Sequence, residues 1–343
     1  MVKHTGRASL LTKPNGDFVI GHYPVPDPAP GAILMKIELC GICGTDLKTY
    51  SKGHHMFPPP AVLGHEFYGL VERTIPGSDF SVGDPVVVAP YAECGTCALC
   101  SIGAGTLCRQ KSFVEGGAFC EYLGIPVSYV ATGVFRIPEA DDAFTLVEPL
   151  ACVLNGVAHL KLRATSRVLV IGAGPMGALF ALLFKARGIP VTVLEPGAVR
   201  REAVAAWGID AREPGDVKAG DYDNIVIAVN RKELVEEYVK SVADAGTLLM
   251  FAGLGKGEAV AIDSSAIHYR EVSLTGCSGY ALPHFREALE LIVGHRGIFS
   301  RLISGRVPLA RGKEAFTMLQ AGQAFKIVLK PGAGDSGSAG SAG

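Results

Sequence analysis

The chain has 343 residues, of which 48% are hydrophobic, and its formal net charge at pH 7 is −1. This length exceeds what one ordinary hydrophobic core organises and predicts about two domains. A charge so close to zero leaves no basic footprint for nucleic acid or for an anionic membrane surface. Small neutral or mildly charged molecules are therefore the expected partners.

The first residues do not resemble an export signal. Residues 1–11 include Lys3, His4 and Arg7 and lack an apolar segment, unlike a secretory signal peptide. The longest apolar run, 168–184, is interrupted by glycines and a proline and is too short for a membrane span. We therefore expect a soluble, cytoplasmic protein. Residues 332–343 have the glycine- and serine-rich composition of a linker or tag remnant and are left out of the predicted fold.

Residues 1–155 predict a mostly β domain. They are rich in glycine and proline, and they contain short β-type runs without a sustained helical period. The runs at 33–39, 63–71 and 84–88 are the clearest predicted strands.

From Val168 onward, predicted strands alternate with predicted helices. Near-continuous apolar runs are typical of parallel strands that are buried on both faces. The predicted strands are 168–172, 191–195, 225–229, 247–253 and 272–276, and the predicted helices are 178–188, 199–207 and 233–242. This pattern predicts an α/β fold with a Rossmann-type, doubly wound parallel sheet over residues 156–280.

The remaining segment, 281–331, predicts one helix at 283–293 and short strands near 302–307 and 325–329. So few residues do not form a third core of their own. We expect this segment to return to the first domain.

Four cysteines lie within fifteen residues, in the spacing Cys-x2-Cys-x2-Cys-x7-Cys: Cys94, Cys97, Cys100 and Cys108. The composition alone would place about 0.4 cysteines in such a window. Four thiolates fit the closed tetrahedral shell of structural zinc, which leaves no position for a substrate. One alternative is that these cysteines are buried or form disulfides, which a reducing compartment disfavours. The other is an iron–sulfur cluster, which is disfavoured because the chain has a single four-cysteine segment beside a nucleotide-binding fold.

A second group of candidate metal ligands lies on two other loops. Cys43 stands in CGICGTD at 40–46, and His65 in GHE at 64–66. A catalytic zinc takes about three protein ligands and keeps one exchangeable position. Taken alone, a buried cysteine is usually a small hydrophobic residue and a histidine a satisfied polar one, so both interpretations stay open here.

Five motifs in a fixed order resemble those of the zinc-dependent medium-chain dehydrogenases, and in particular the sorbitol and threonine dehydrogenases. They are CGICGTD, LGHEFYGLVE, the four-cysteine segment, VEPLACVLNGV and VLVIGAGPMG. The similarity extends over residues of about 30 to 330. It implies that residues 1–155 form a GroES-like catalytic domain with a zinc lobe at about 90–110, and that the Rossmann-type domain binds NAD.

The resemblance also implies the ligands of a catalytic zinc. It selects Cys43 over Cys40 and makes His65 the second ligand. Glu148, in the EPL motif, completes the site, whereas Glu66 either ligates directly or stands just behind the metal. A glutamate in EPL favours the polyol branch, since simple alcohol dehydrogenases have a cysteine instead. By its residue type alone, Glu148 could equally be an acid in the first turn of a helix.

Three residues that follow Cys43 have roles implied by the same resemblance. Asp46 would accept the N–H of His65 and fix its tautomer. Thr45 would pass the substrate proton through the cofactor ribose towards Lys48. A solvated lysine is the competing interpretation of Lys48. The cysteines outside both clusters are interpreted as packing residues: Cys40, Cys120, Cys152 and Cys277.

A dinucleotide site is predicted where a strand, a glycine turn and a helix follow one another. Gly172, Gly174 and Gly177 allow a tight turn and close approach of a pyrophosphate to the helix N-terminus. Glu195, at the end of the next strand, would accept the adenosine ribose hydroxyls and repel a 2′-phosphate, which favours NAD over NADP. The resemblance adds further cofactor contacts: Pro175, Met176, Arg200, Gly253 and Leu254. An arginine near this point could instead bind the 2′-phosphate of NADP, or it could be a solvent-exposed residue that caps the following helix.

The function implied is the oxidation of a secondary hydroxyl to a ketone, with one catalytic zinc, one structural zinc and NAD. The substrate would be a small polar alcohol, such as a polyol, cyclitol, aminocyclitol, sugar or amino alcohol, lined by loops 49–57 and 113–119. His54 and His55 are candidate contacts in the first of these loops. A carbonyl reductase and a catalytically silent NAD- and zinc-binding protein are the alternatives. The family resemblance also implies a homo-oligomer, a dimer or a tetramer.

Overall fold

The computed structural model describes residues 5–25, 27–54 and 57–332. It divides the chain into two compact units, one of Met1–Glu148 with Ile303–Gly343 and one of Pro149–Leu302. His55 and the predicted tail from residue 333 onward lie outside the described residues. Within the described ranges, no helix combines the length and the apolar character needed to cross a membrane.

The strands, in chain order, are β1 (Thr5–Leu11), β2 (Phe18–Pro24), β3 (Ile33–Gly41), β4 (Ala61–Val62), β5 (Glu66–Thr74), β6 (Pro85–Val88), β7 (Tyr91–Ala92), β8 (Ser112–Phe113), β9 (Tyr122–Ile125), β10 (Val134–Arg136), β11 (Val168–Ile171), β12 (Val191–Leu194), β13 (Asp210–Arg212), β14 (Tyr222–Ile227), β15 (Val242–Met250), β16 (Ser273–Gly276), β17 (Ile303–Pro308) and β18 (Lys326–Lys330). The α-helices are α1 (Gly44–Lys52), α2 (Ala98–Ser101), α3 (Val127–Gly133), α4 (Val147–Ala158), α5 (Pro175–Ala186), α6 (Ala198–Ala206), α7 (Lys232–Tyr238), α8 (Ser264–His268), α9 (Leu282–Phe299) and α10 (Gly312–Gln320).

The first unit is organised by a seven-stranded sheet in the order β10-β6-β5-β3-β18-β17, with β9 also paired to β3. Most residues of β3 are buried, because this strand lies at the centre of the sheet. Its last residue, Gly41, is opposite Glu66 of β5 on one side and Val328 of β18 on the other. The end of β3 therefore brings the starts of β5 and β18 close to the loop that carries Cys43.

The second unit contains a six-stranded sheet in the order β13-β12-β11-β14-β15-β16, and all its neighbouring strands are parallel. Both β11 and most of α5 are buried, as expected for a sheet with helices packed on its faces. The predicted Rossmann-type sheet is confirmed. It places the glycine turn at the carboxyl end of β11, where ligands of such sheets bind.

The unit boundaries differ from the predicted ones. The chain leaves the first unit at Glu148, within α4, whereas the sequence placed this boundary at 155. It returns at Ile303, although a return from 281 was expected. The reason is α9, which packs against α5 in the second unit and buries Phe285, Ala288 and Ile292 along one helical face. Helices α1 and α4 also interrupt the region that was predicted to be mostly β.

Candidate metal centres and cofactor site

The four-cysteine lobe brings its sulfur atoms together. The Sγ–Sγ distances are 3.5 Å for Cys97–Cys100 and Cys94–Cys108, 3.8 Å for Cys97–Cys108 and 3.9 Å for Cys94–Cys100. A disulfide would place two sulfurs about 2.05 Å apart, and these cysteines are free. Ligands at about 2.3 Å from a tetrahedral zinc lie about 3.8 Å from one another. The four thiols therefore fit one zinc ion.

Backbone N–H groups in this lobe are directed at two of the sulfur atoms. The N–H groups of Cys97 and Gln110 donate to the Sγ atoms of Cys94 and Cys108 at 3.4 and 3.3 Å. Backbone N–H groups of Thr96 and Cys97 lower the pKa of Cys94 below its ordinary value. Such donors stabilise the ionised sulfur that a metal requires.

The second candidate centre joins Cys43, His65 and Glu66, whose ligand atoms lie within 4.8 Å of one another. Cys43 caps the N-terminus of α1 directly after β3, while His65 and Glu66 stand at the start of β5. Cys43 and His65 are half-buried, and Glu66 is fully buried. Sulfur, imidazole nitrogen and carboxylate oxygen are the donor types of catalytic zinc, so this set also fits a zinc ion.

Asp46 connects the two loops of this centre. Its Oδ2 accepts the N–H of Cys43 at 2.9 Å, and its Oδ1 accepts the N–H of Gly64 at 3.3 Å. The same Oδ1 lies 3.6 Å from Nδ1 of His65, which is an electrostatic contact longer than a hydrogen bond. One buried carboxylate thus fixes the backbone beside both candidate ligands and faces the imidazole.

The protonation of the metal-free pair reflects its burial. Burial raises the pKa of Cys43, although the neighbouring His65 opposes this change. Burial disfavours the imidazolium of His65, but the charges of Asp46 and Cys43 outweigh it and raise the pKa of His65. A cation that binds here must therefore displace a proton, which couples its affinity to pH.

A buried lysine that the sequence analysis did not select also belongs to this region. Nζ of Lys326 lies 2.8 and 2.6 Å from the two carboxylate oxygens of Glu66, and it donates to the carbonyl of Ile42 at 3.1 Å. The side chains of Lys326 and Glu66 are 3% and 0% exposed. The available signal was a charged residue at the start of a strand with an apolar centre, a position where a lysine is commonly solvated.

The other predicted catalytic residues are placed differently. Glu148 lies in the first turn of α4 and is 8% exposed, but it is not among the three clustered ligands. Its negative charge acts on Lys326. Thr45 is half-buried in α1 and its carbonyl accepts the hydroxyl of Thr49 at 2.8 Å. Lys48 is exposed.

In the second unit, each of the three motif positions is occupied by glycine for a different structural reason. Gly172 has φ +95°, and a Cβ there would lie 2.3 Å from Val229. A Cβ on Gly177 would lie 1.9 Å from the carbonyl oxygen of Gly172, because α5 packs closely on the turn. A Cβ on Gly174, the N-cap of α5, would meet no atom within 4 Å. The helix N-terminus is therefore open to a pyrophosphate group, which fits a dinucleotide.

The remaining cofactor candidates lie around the same end of the sheet. Glu195 follows β12, and its carboxylate accepts the N–H groups of Ala173 at 2.7 Å and Gly197 at 2.9 Å. Nε of Arg200 is buried, and no hydrogen-bond partner for it occurs in the described part of the chain. Pro175 and Met176 open α5, while Gly253 and Leu254 follow β15.

Comparisons with known proteins agree with this architecture. The model of the alcohol dehydrogenase GroES-like domain matches residues 29–139. The D-altritol 5-dehydrogenase of Agrobacterium fabrum is 30% identical over 88% of this chain and 93% of its own length. The L-threonine 3-dehydrogenase of Pyrococcus horikoshii is 29% identical over 94% of this chain and 97% of its own.

A solved structure gives the same result for the fold. It is described as a zinc-binding dehydrogenase from Sinorhizobium meliloti bound to NADP, with 28% identity and a TM-score of 0.84. The match covers 96% of this chain and all of the other. The chain therefore belongs to the zinc-dependent medium-chain dehydrogenases, oxidoreductases that use zinc and a nicotinamide dinucleotide.

Proposed function

We propose that this protein oxidises a secondary hydroxyl of a small polar substrate to a ketone, with NAD as the hydride acceptor. The observation that carries the proposal is the convergence of Cys43, His65 and Glu66 in one cluster, with the two loops joined by Asp46. A protein with only the four-cysteine lobe would bind metal without this chemistry. We propose one structural zinc in that lobe and one catalytic zinc at the cluster.

Zinc bound at the cluster would act as a Lewis acid that lowers the pKa of a hydroxyl, as it lowers that of water from 15.7 to about 7. NAD would accept the hydride, since the cofactor rather than the protein carries that step. The chain's own residues supply the metal ligands and hold them in position. Asp46 serves the second purpose, because it bonds the backbone beside Cys43 and His65.

The proton of the hydroxyl must also leave the site. We propose that Thr45 receives it first, since this residue is half-buried and directly follows the Cys43–Gly44 step, and that Lys48 meets it at the surface. Positioned proton transfer contributes roughly 10²- to 10⁴-fold to a rate. Thr45→Val should therefore lower kcat about a hundredfold, while Thr45→Ser, which keeps the hydroxyl, should stay within about tenfold of the wild type.

Measurements of kcat also test the role of Lys48 separately from that of Thr45. If Lys48 relays the proton, Lys48→Met should lose rate in dilute buffer, and added imidazole should restore it. An unchanged rate in dilute buffer would show that Lys48 is only a solvated lysine. Equal kcat values for Thr45→Val and the wild type would contradict the proposed route altogether.

The preference for NAD is proposed from Glu195. Glu195 is 8% exposed, and two backbone N–H groups hold its carboxylate at the end of β12, so it cannot easily turn away from a 2′-phosphate. Like charges a few ångströms apart near a surface repel by several kcal/mol, and each 1.4 kcal/mol is about tenfold in affinity. We propose that Arg200 contributes to binding of either cofactor.

Glu195→Ala should reduce the ratio of NAD to NADP kcat/KM by about a hundredfold. Steady-state kinetics with both cofactors measures this ratio. Asp210→Ala is the matched control, because Asp210 lies at the amino end of β13 and pairs with Arg212. A wild-type protein that used NADP better than NAD would refute the assignment.

The substrate class is proposed from the relatives named above, which act on D-altritol and L-threonine. Both compounds carry a secondary hydroxyl beside other polar groups. A screen of polyols, cyclitols, sugars and amino alcohols by NADH absorbance would identify the substrate. We also propose a homo-dimer or homo-tetramer, which light scattering would measure.

A further inference from the structure

Asn155 is a buried polar residue of α4 that the proposed chemistry does not use. It is 3% exposed, and its side-chain amide donates to the carbonyl oxygens of Gly279 at 2.9 Å and Ser278 at 3.4 Å. Neither carbonyl accepts a backbone N–H from the described residues. The loop 277–281, between β16 and α9, is therefore supported by a side chain from a distant helix.

Helix α4 is a rigid base for this contact. A Cβ on Gly156, the next residue, would lie 2.8 Å from the ring of Phe180 in α5 and 3.1 Å from the ring of Phe251, which directly follows β15. The helix therefore packs closely on α5 and on the carboxyl end of β15. The position of Asn155 is thus set by α4 rather than by the loop that it holds.

The loop 277–281 lies at the edge of the sheet where the cofactor is proposed to bind. All neighbouring strands of this sheet are parallel, so the segment after β16 and the glycine turn after β11 share one edge. Glu195, the proposed ribose ligand, follows β12 on one side of β11, whereas β14, β15 and β16 lie on the other side. If the adenosine half of NAD extends from the glycine turn towards β12, the nicotinamide half extends the opposite way, towards the loop.

The bonds from Asn155 also orient a backbone donor of the loop. In a planar trans peptide, the C=O of Ser278 and the N–H of Gly279 point in opposite directions. Because Asn155 holds that C=O, the N–H of Gly279 points away from Asn155, and no residue that the structure describes accepts it. Gly279 has φ +62°, which glycine adopts without strain. The loop thus presents a half-buried donor that fits the amide oxygen of a nicotinamide.

We propose that Asn155 is a positioning residue for the nicotinamide half of the cofactor, which fixes the loop 277–281 so that the N–H of Gly279 donates to the carboxamide oxygen. This inference rests on the proposed function, because it requires NAD at the glycine turn. It goes further by naming a residue outside the glycine motif that acts on only one half of the cofactor. Asn155 acts through the loop and does not itself bind the cofactor.

The experiment compares the binding of NADH with that of ADP-ribose, which is the same molecule without its nicotinamide ring. Calorimetry measures both dissociation constants on the full-length, zinc-loaded protein. Asn155→Leu keeps the approximate size of the side chain but has no N–H donor. It should weaken NADH binding about tenfold, whereas the affinity for ADP-ribose should stay within about twofold of the wild type. Asn155→Ala should show the same difference between the two ligands.

Asn224→Leu is the matched control. Asn224 is also a buried asparagine of the second unit, but its amide contacts Lys161 and Ser166 near the amino end of β14. Its replacement should lower the melting temperature without changing the ratio of the two dissociation constants. Gly279→Pro removes the N–H and the positive φ from the loop itself, so it should weaken NADH binding alone. This variant tests the inference even if the Asn155 variants do not fold.

Three outcomes would overturn the inference or its basis. Wild-type affinity for NADH in Asn155→Leu or in Gly279→Pro would show that the loop does not depend on these groups to bind the nicotinamide. An equal loss of affinity for NADH and ADP-ribose would also overturn the inference, because it would indicate a general effect on the fold. Failure of the wild type to bind either ligand would instead overturn the proposed use of NAD.

Discussion

Replacing Cys43 with serine should lower kcat by about a thousandfold and remove one zinc ion per chain. Lewis-acid stabilisation by a bound metal contributes several kcal/mol, and about 1.4 kcal/mol corresponds to each tenfold in rate. A serine hydroxyl does not replace a thiolate as a zinc ligand at neutral pH. Steady-state kinetics together with metal analysis of the purified variant measures both effects.

The matched control for this variant is Cys40→Ala. Cys40 lies three residues earlier, at the buried end of β3, and we interpret it as a packing residue. Its replacement should leave both zinc ions bound and kcat within about threefold of the wild type. Full turnover by Cys43→Ser would show that this thiol does not bind a catalytic metal. Loss of the catalytic zinc from Cys40→Ala alone would exchange the roles of the two cysteines.

Replacing Cys97 with serine should unfold the four-cysteine lobe. No residue of α2 is buried, so apolar packing contributes little to that part of the lobe. Structural zinc in small domains contributes about 10 to 16 kcal/mol of binding free energy to folding, and its loss here should cost at least several kcal/mol. The expected result is one zinc fewer per chain and a clearly lower melting temperature.

Calorimetry and metal analysis test this expectation. Ser101→Ala is the control, because Ser101 is exposed and its hydroxyl bonds only the local carbonyl of Ala98 among the contacts described. Its melting temperature should stay close to that of the wild type. If Cys97→Ser retained two zinc ions and the wild-type melting temperature, the lobe would not depend on a four-sulfur site.

Much of the second unit could be predicted because its signals are local. The run Val168–Ile171 is a continuous apolar strand followed by a glycine turn, and both features are fixed by neighbouring residues. Element boundaries were less predictable. Strand β15 begins at Val242, inside the helix predicted to end there, and continues through Ala245, which has φ +59°. A positive φ at alanine is set by tertiary context and has no signature in composition.

In the candidate site too, residues in local motifs could be predicted, whereas a long-range contact could not. Cys43 and His65 stand in short motifs that the sequence analysis could select, and the structure places their ligand atoms within 4.8 Å of each other. The contact between Glu66 and Lys326 joins residues that are 260 positions apart. It depends on β18 pairing with the end of β3, a long-range register that no local pattern specifies. For this reason the sequence alone suggests that Lys326 is exposed to solvent, whereas the structure buries it.

X-ray absorption at the zinc edge, combined with a zinc count per chain, distinguishes a protein with a catalytic zinc from one with structural zinc alone. We expect two zinc ions per chain, one with four sulfur ligands and one with a single sulfur, a nitrogen and oxygen neighbours. Cys43→Ser should remove only the second of these environments. A single zinc ion per chain with four sulfur ligands, unchanged in Cys43→Ser, would show that no zinc binds at Cys43.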